Sequence, residues 1–173
     1  AEMERLGEDG NMYAQYLMGK LWRDGPLKTP DSINARYWFQ KAAEQGFDCA
    51  QYALGKLYLS NDVEIHDPKQ GLHWLSVAAN NGSHYAMYRL AKEYYKGVNT
   101  EKDLHKAVEW FERSAELDNQ YAQYMLGKLN LTGKEVSENK ELGIYWLQRS
   151  ADQGNVYAQA LLERQDSQHP PSV

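Results

Sequence analysis

The sequence predicts an all-α solenoid of stacked antiparallel helix pairs with a period of 36 residues, and three observations carry that prediction. Trp38, Trp74, Trp110 and Trp146 stand 36 residues apart. Ala14-Gln15-Tyr16 returns as Ala50-Gln51-Tyr52, Ala86-Met87-Tyr88, Ala122-Gln123-Tyr124 and, degraded, Ala158-Gln159-Ala160. Gly19, Gly55 and Gly127 keep one phase with Ala91 in the remaining slot, and Ala43, Ala79, Ala115 and Ala151 keep another. A period of about 20 to 50 residues marks supersecondary units that bury their apolar faces only by stacking on neighbours.

Each unit carries two helical patterns. In the first, helix A, Ala14, Met18 and Leu21 recur at helix spacing and Ala50, Leu54 and Leu57 repeat the stripe, so this face is predicted to be buried. Gly25, Gly97 and Gly133, with Asn61 in the second unit, follow at the position where a left-handed residue closes a helix. Gly19 and its equivalents lie inside helix A at a cost of about 1 kcal/mol each, which implies close helix contact there. Helix B opens on Asp31, Asp67, Asp103 and Asn139 as N-caps, with Pro68 at a first helical position. Its stripe is Ala35, Trp38, Phe39, Ala42 and Ala43, and Gly46, Gly82 and Gly154 end it, with Asp118 replacing glycine in the third unit. The tryptophans are therefore expected to be core.

The register divides the chain into a remnant of a preceding second helix (1–11), repeats at 12–47, 48–83, 84–119 and 120–155, a terminal half repeat (156–167) and a disordered tail (168–173). The remnant follows from Met3, Leu6, Gly7 and Gly10, which share the phase of Phe39, Ala42, Ala43 and Gly46. This phase implies a fragment of a longer protein.

The motif Ala50-x3-Leu54-Gly55-x2-Tyr58, with Val63, Asp67 and Trp74-x3-Ala78-Ala79-x2-Gly82, resembles the Sel-one-like repeat, a tetratricopeptide-type unit. The resemblance covers about residues 12 to 167 and implies a right-handed superhelical α-solenoid whose task is protein–protein recognition, as a scaffold or adaptor. Asn130, in the slot of Tyr58, departs from the pattern, as do Ala91 and Glu93 in the third unit and Gly71 and Gly143 in the slots of Ala35 and Ala107. These departures are expected to weaken packing locally without breaking the register.

With the Ala14 stripe buried, Tyr13, Tyr16, Lys20 and Arg23 point away from it at 100° per residue. In the resembling folds that side lines a concave groove that takes extended peptides or partner helices. Stacking turns it into four rows: Tyr13, Cys49, Tyr85, Tyr121 and Tyr157; Tyr16, Tyr52, Tyr88 and Tyr124; Lys20, Lys56, Lys92 and Lys128; and Arg23, Leu59, Tyr95 and Leu131. These residues, Cys49 apart, are the candidate partner-binding set. Tyrosine joins a large rigid surface to a hydroxyl, a combination favoured at binding hot spots. The structural alternative is that tyrosines of adjacent units stack on one another under lysine stems.

Charge points to the kind of partner. Residues 12–23, 48–59, 84–95 and 120–131 hold six basic and two acidic side chains, a balance of +4, while the remainder carries −9 of the chain's net −5. A basic line in an aromatic groove on an acidic protein favours an acidic or carboxylate-bearing protein or peptide. That balance argues against nucleic acid, which needs a concentrated basic surface.

His66, His73, His84, His105 and His169 form no paired-ligand spacing, and no P-loop, dinucleotide turn or GxSxG is present, so neither cofactor, metal nor enzymatic activity is expected. No apolar run reaches membrane-spanning length, and one cysteine allows no intrachain disulfide, which favours a cytoplasmic setting. A rival reading is an accessory interaction region of a larger enzyme, such as a bacterial conjugative mobilisation relaxase, with its catalytic domain elsewhere. A third, binding of cell-wall or β-lactam-like ligands, belongs to related arrays stapled by paired cysteines, which this chain lacks. Leu161 and Leu162, with no helix B after them, also suggest self-association through residues 156–164.

Overall fold

The computed structural model describes residues 1–25 and 29–168, and every regular element among them is an α-helix. In order these are α1 (Glu2–Glu8), α2 (Met12–Asp24), α3 (Ser32–Glu44), α4 (Asp48–Tyr58), α5 (Pro68–Asn80), α6 (His84–Lys96), α7 (Leu104–Glu116), α8 (Gln120–Thr132), α9 (Lys140–Asp152) and α10 (Val156–Gln168). The even-numbered helices are the A helices, α3, α5, α7 and α9 the B helices, and the chain forms an α-solenoid.

The caps explain the starts. Asp31, Asp67, Asp103 and Asn139 each accept a hydrogen bond from the backbone N–H three residues on, at 2.9, 3.2, 3.0 and 3.1 Å. Each such cap is worth about 1 kcal/mol. Asn11, Ser83, Asn119 and Asn155 do the same for A helices. Phe47, which precedes α4, makes no side-chain cap. Its ring instead packs on Tyr13 and Tyr16, with centroids 4.9 and 5.3 Å away.

Two ends differ from expectation. Gly25 and Gly133 close α2 and α8 in the left-handed region, at φ 63° and 58°, but Asn61 does not do so for α4. That helix stops at Tyr58 on a right-handed Leu59 with φ −91°, and the Ser60 hydroxyl donates to the Leu57 carbonyl at 2.7 Å. Asparagine bears the left-handed conformation less easily than glycine, so a right-handed turn wins here. At the other end, Gln168 is not in a tail but in the last turn of α10. Helical bonding continues beside it, the Ser167 hydroxyl donating to the Glu163 carbonyl at 2.9 Å. The expected tail's residues 169–173 lie outside the described residues.

The chain forms two compact units, Ala1–Ala86 and Met87–Val173. The first is centred on Ala35, Phe39, Ala42, Ala50 and Leu54, with Trp22 and Trp74 packed against them. The second is centred on Ala107, Phe111, Ala115, Ala122 and Leu126, with Tyr94 and Trp110 packed against them. Trp38 and Trp146 are buried and Trp74 and Trp110 half-buried, so the tryptophans serve packing. The A-helix glycines admit the B helix: a Cβ on Gly19 would stand 2.4 Å from the Phe39 ring.

Repeats of two kinds alternate. The second and fourth combine Leu59, Gly71 and Leu75, or Leu131, Gly143 and Leu147, where the first and third combine Arg23, Ala35 and Phe39, or Tyr95, Ala107 and Phe111. A Cβ on Gly71 would fall 2.6 Å from Leu59 Cγ, and one on Gly143 would fall 3.0 Å from Leu131 Cγ. In the other two repeats the outer side chain lies by the phenylalanine: the Arg23 guanidinium is 5.8 Å from the Phe39 centroid and Tyr95 6.4 Å from Phe111. Gly71 and Gly143 therefore do not loosen packing, as expected from sequence, but accommodate a leucine.

A second device joins repeats through amides. Buried Gln51 donates to the Ala43 carbonyl at 3.1 Å and accepts from Asn81 at 2.8 Å. Gln15 and Gln123 repeat the arrangement with Gly7 and Gln45, and with Ala115 and Gln153. In the third repeat both slots change together, to Met87 and Leu117.

Leu21 corrects the predicted stripe. It is 40% exposed, whereas Leu57 and Leu129 in the same slot are 6% and 4% exposed. The fourth occupant of that slot is a carboxylate, Glu93, which is buried and bonded to Arg89 at 3.0 Å and to Asn99 at 2.9 Å.

Candidate functional site

The candidate face is built on the A helices, where residues at i and i+3 or i+4 share a side. Tyr13, Tyr85, Tyr121 and Tyr157 are 61%, 53%, 48% and 67% exposed. Tyr16, Tyr52, Tyr88 and Tyr124 are half-buried behind them. Three of the inner rings meet the outer ring of the next repeat: Tyr52 with Tyr85 at 6.2 Å in the first unit, and in the second Tyr88 with Tyr121 at 5.7 Å and Tyr124 with Tyr157 at 5.9 Å. The one outer slot without a tyrosine holds Cys49, which is exposed.

Three of the lysines lie over the inner rings one turn back. Lys20 stands 5.7 Å from the Tyr16 centroid, Lys56 4.5 Å from Tyr52 and Lys92 5.3 Å from Tyr88. Exposed cation–π contacts of this kind contribute about 0.5–1 kcal/mol. Tyrosine stacking and lysine cover, the structural alternative, are thus both present. They leave one ring of each pair open to solvent.

The fourth row does not form a continuous surface. Leu59 is buried at 6% exposure against Gly71 and is withdrawn from the binding set, while Leu131 is half-buried against Gly143. Sequence spacing placed both outward, but the glycine opposite draws each leucine inward. Arg23 pairs with Asp24 at 2.7 Å. The Tyr95 hydroxyl donates to Glu135 at 2.7 Å, with Lys102 3.4 Å from the same carboxylate.

Electrostatics distinguish the two units. The hydrogen bond from Arg23 holds the Asp24 carboxyl below its usual range, and the nearby Lys20 and Lys56 ammonium groups add to the effect. In the second unit the slot of Asp24 is Lys96. Burial lowers the Lys92 ammonium below the usual lysine value, and Lys96 and Arg89 beside it act in the same direction. Arg164 continues the lysine row on α10, and sequence reasoning missed it because Ala160 breaks the Ala-Gln-Tyr triplet there.

Other polar groups have structural partners. His66 Nδ1 lies 2.8 Å from the Ser60 carbonyl, Asp62 accepts from the Glu64 backbone at 3.1 Å, and Asp67 caps α5. Burial and neighbouring Asp48 raise the Cys49 thiol, which disfavours the nucleophilic thiolate. Among the described residues no group of three or more His, Cys, Asp or Glu is placed to hold a metal, and no helix is long and apolar enough to cross a membrane.

Comparison with known proteins agrees with the fold. The Sel1 repeat model matches residues 13–47, 50–83, 84–119 and 120–155. A protective antigen of uropathogenic Escherichia coli strains, displaying an SLR fold, is 29% identical with a TM-score of 0.89 over 96% of this chain and 36% of its own. A Sel1 repeat protein from Oxalobacter formigenes is 27% identical with a TM-score of 0.82 over 90% of this chain and 64% of its own. The Helicobacter pylori cysteine rich protein B shares the fold at 22% identity and a TM-score of 0.62, over 79% of this chain and 98% of its own. The chain thus spans only part of the length of the first two. No curated protein matches it in sequence.

Proposed function

From the premise that the chain belongs to the Sel1 repeat family, whose members are generally protein–protein interaction modules, we propose a scaffold or adaptor that binds a peptide or partner helix along the tyrosine and lysine face of its A helices. The observation that carries this reading is the half-open tyrosine pair. Tyr85, Tyr121 and Tyr157 each rest one face on the preceding repeat's ring and remain 53%, 48% and 67% exposed. Rings fixed in this way lose little conformational freedom when a partner covers them. The surplus of positive charge on these helices favours an acidic partner.

Quantitative capture of partner proteins by the wild type and by the combined Tyr52→Ala, Tyr88→Ala and Tyr124→Ala variant tests the reading. Loss of a captured protein with helicity retained supports binding at this face. Unchanged capture overturns it. Lys56→Glu with Lys92→Glu is expected to weaken capture at low salt, and unchanged affinity there would remove the preference for acid.

A further inference from the structure

Three cations occupy one slot on successive A helices of the second unit: Lys92 on α6, Lys128 on α8 and Arg164 on α10. Ring contacts between Tyr88 and Tyr121 and between Tyr124 and Tyr157 show that these helices are neighbours on that face. Lys128 and Arg164 are exposed and Lys92 half-buried. None of the three forms an ion pair with a described carboxylate.

The first unit has no such surplus. Its two lysines in this slot, Lys20 and Lys56, share the field of Asp24. In the second unit Lys96 replaces that aspartate. The buried Glu93 is bonded to Arg89 and Asn99, and its favourable effect on the Lys92 ammonium is smaller than the opposing effects of burial, Lys96 and Arg89. The Glu135 carboxylate accepts from Tyr95 and Lys102.

We infer that the row Lys92, Lys128 and Arg164 reads an extended acidic peptide whose carboxylates recur at every third residue. Packed helices lie about 8–10 Å apart, and a peptide in the polyproline II conformation advances about 3.1 Å per residue with three residues per turn, so every third side chain faces the row and one turn matches one step. The ring pairs Tyr88 with Tyr121 and Tyr124 with Tyr157 stand one to two helical turns to the N-terminal side of the row and would flank the peptide. Half-burial of Lys92, whose ammonium is further disfavoured by Lys96 and Arg89, supports an anion at that step. The inference rests on the tyrosine and lysine face being the binding face.

The test uses two labelled decapeptides of identical composition, one with three glutamates at every third position and one with them contiguous, followed by fluorescence anisotropy. The spaced peptide is expected to bind about fivefold more tightly, as two additional exposed ion pairs allow. Lys128→Gln should abolish the preference and Lys128→Arg should retain it, with helicity unchanged because the side chain is exposed. Equal affinity of the two peptides would overturn the spacing rule while leaving peptide binding at the face intact. Binding of neither above a glutamine-substituted control would overturn acidic-peptide binding at the row, and the tyrosine variants would then decide on the face itself. Tighter binding of single-stranded oligothymidylate than of the spaced peptide would assign the row to nucleic acid and overturn the proposal.

Discussion

Leu59 packs directly over Gly71: a Cβ placed on the glycine would meet Leu59 Cγ at 2.6 Å and the Gly55 carbonyl at 3.2 Å. The same relation between Leu131 and Gly143 shows that the leucine and the glycine form one unit of packing. Gly71→Ala is therefore expected to lower stability by about 1–3 kcal/mol, despite alanine's better helix propensity. Leu59→Ala has a cost of its own because it empties a buried site, so the double variant should be less destabilised than the sum of the two single effects. Urea denaturation of the single and double variants checks this, and a stabilising Gly71→Ala would show that the contact is not close.

Gln51 and Asn81 form the second coupled pair, joining α4 to the end of α5 through amide contacts. Gln51→Met leaves the Ala43 carbonyl without its side-chain donor and Asn81 without an acceptor, and should cost about 1–3 kcal/mol. Asn81→Leu added to it reproduces the Met87 and Leu117 combination of the third repeat, so the double variant should be more stable than the sum of single effects predicts. A coupling energy of about 1 kcal/mol from the four-variant cycle is the expected result. Strict additivity would mean that the two slots changed independently.

Helix positions and caps were legible in the sequence because they depend on local chemistry: Asp31, Asp67, Asp103 and Asn139 cap the helices they precede. Leu59 was misplaced for a reason of the opposite kind. Its row is outward by helix angle, but its direction is set by the missing Cβ on a different helix, at Gly71. Arg164 was missed because the triplet that marks the register decays at Ala160, although the 36-residue count from Lys128 reaches it. Asp24 belongs to no recurring motif, and the effect of Lys20 and Lys56 on its carboxyl emerges only when neighbouring repeats are placed together.

Glu93 offers a third prediction, because leucine fills its slot in the other three repeats. Its side chain is 6% exposed and its partner Arg89 is 30% exposed. Exchanging such a pair for a well-packed apolar residue is often neutral or stabilising, whereas removing one partner strands a charge. Glu93→Leu should leave the denaturation midpoint within the range of about 1 kcal/mol in stability, while Arg89→Ala should reduce stability by more than that. Glu93→Leu should also speed amide exchange at 98–102, since the bond from Asn99 is lost. A destabilised Glu93→Leu with unchanged exchange would mean that the slot is shaped for the carboxylate itself.

Tyr95 and Glu135 make the site's electrostatics testable by pH. The hydrogen bond from Tyr95 is the main cause holding Glu135 below its ordinary value, with Lys102 adding to it. The same bond raises the Tyr95 hydroxyl above the usual tyrosine value. A depressed carboxyl contributes fully above its ordinary value, and the contribution is lost as pH falls through the depressed one. The bridge thus persists through neutral pH, fails in acid when Glu135 protonates, and fails in strong base when Tyr95 ionises. Side-chain carboxyl titration followed by NMR should show the Glu135 midpoint move upward in Tyr95→Phe, and by a smaller step in Lys102→Met. An unmoved midpoint in Tyr95→Phe would show that the hydroxyl does not bond the carboxylate in solution, leaving Tyr95 free to face a partner.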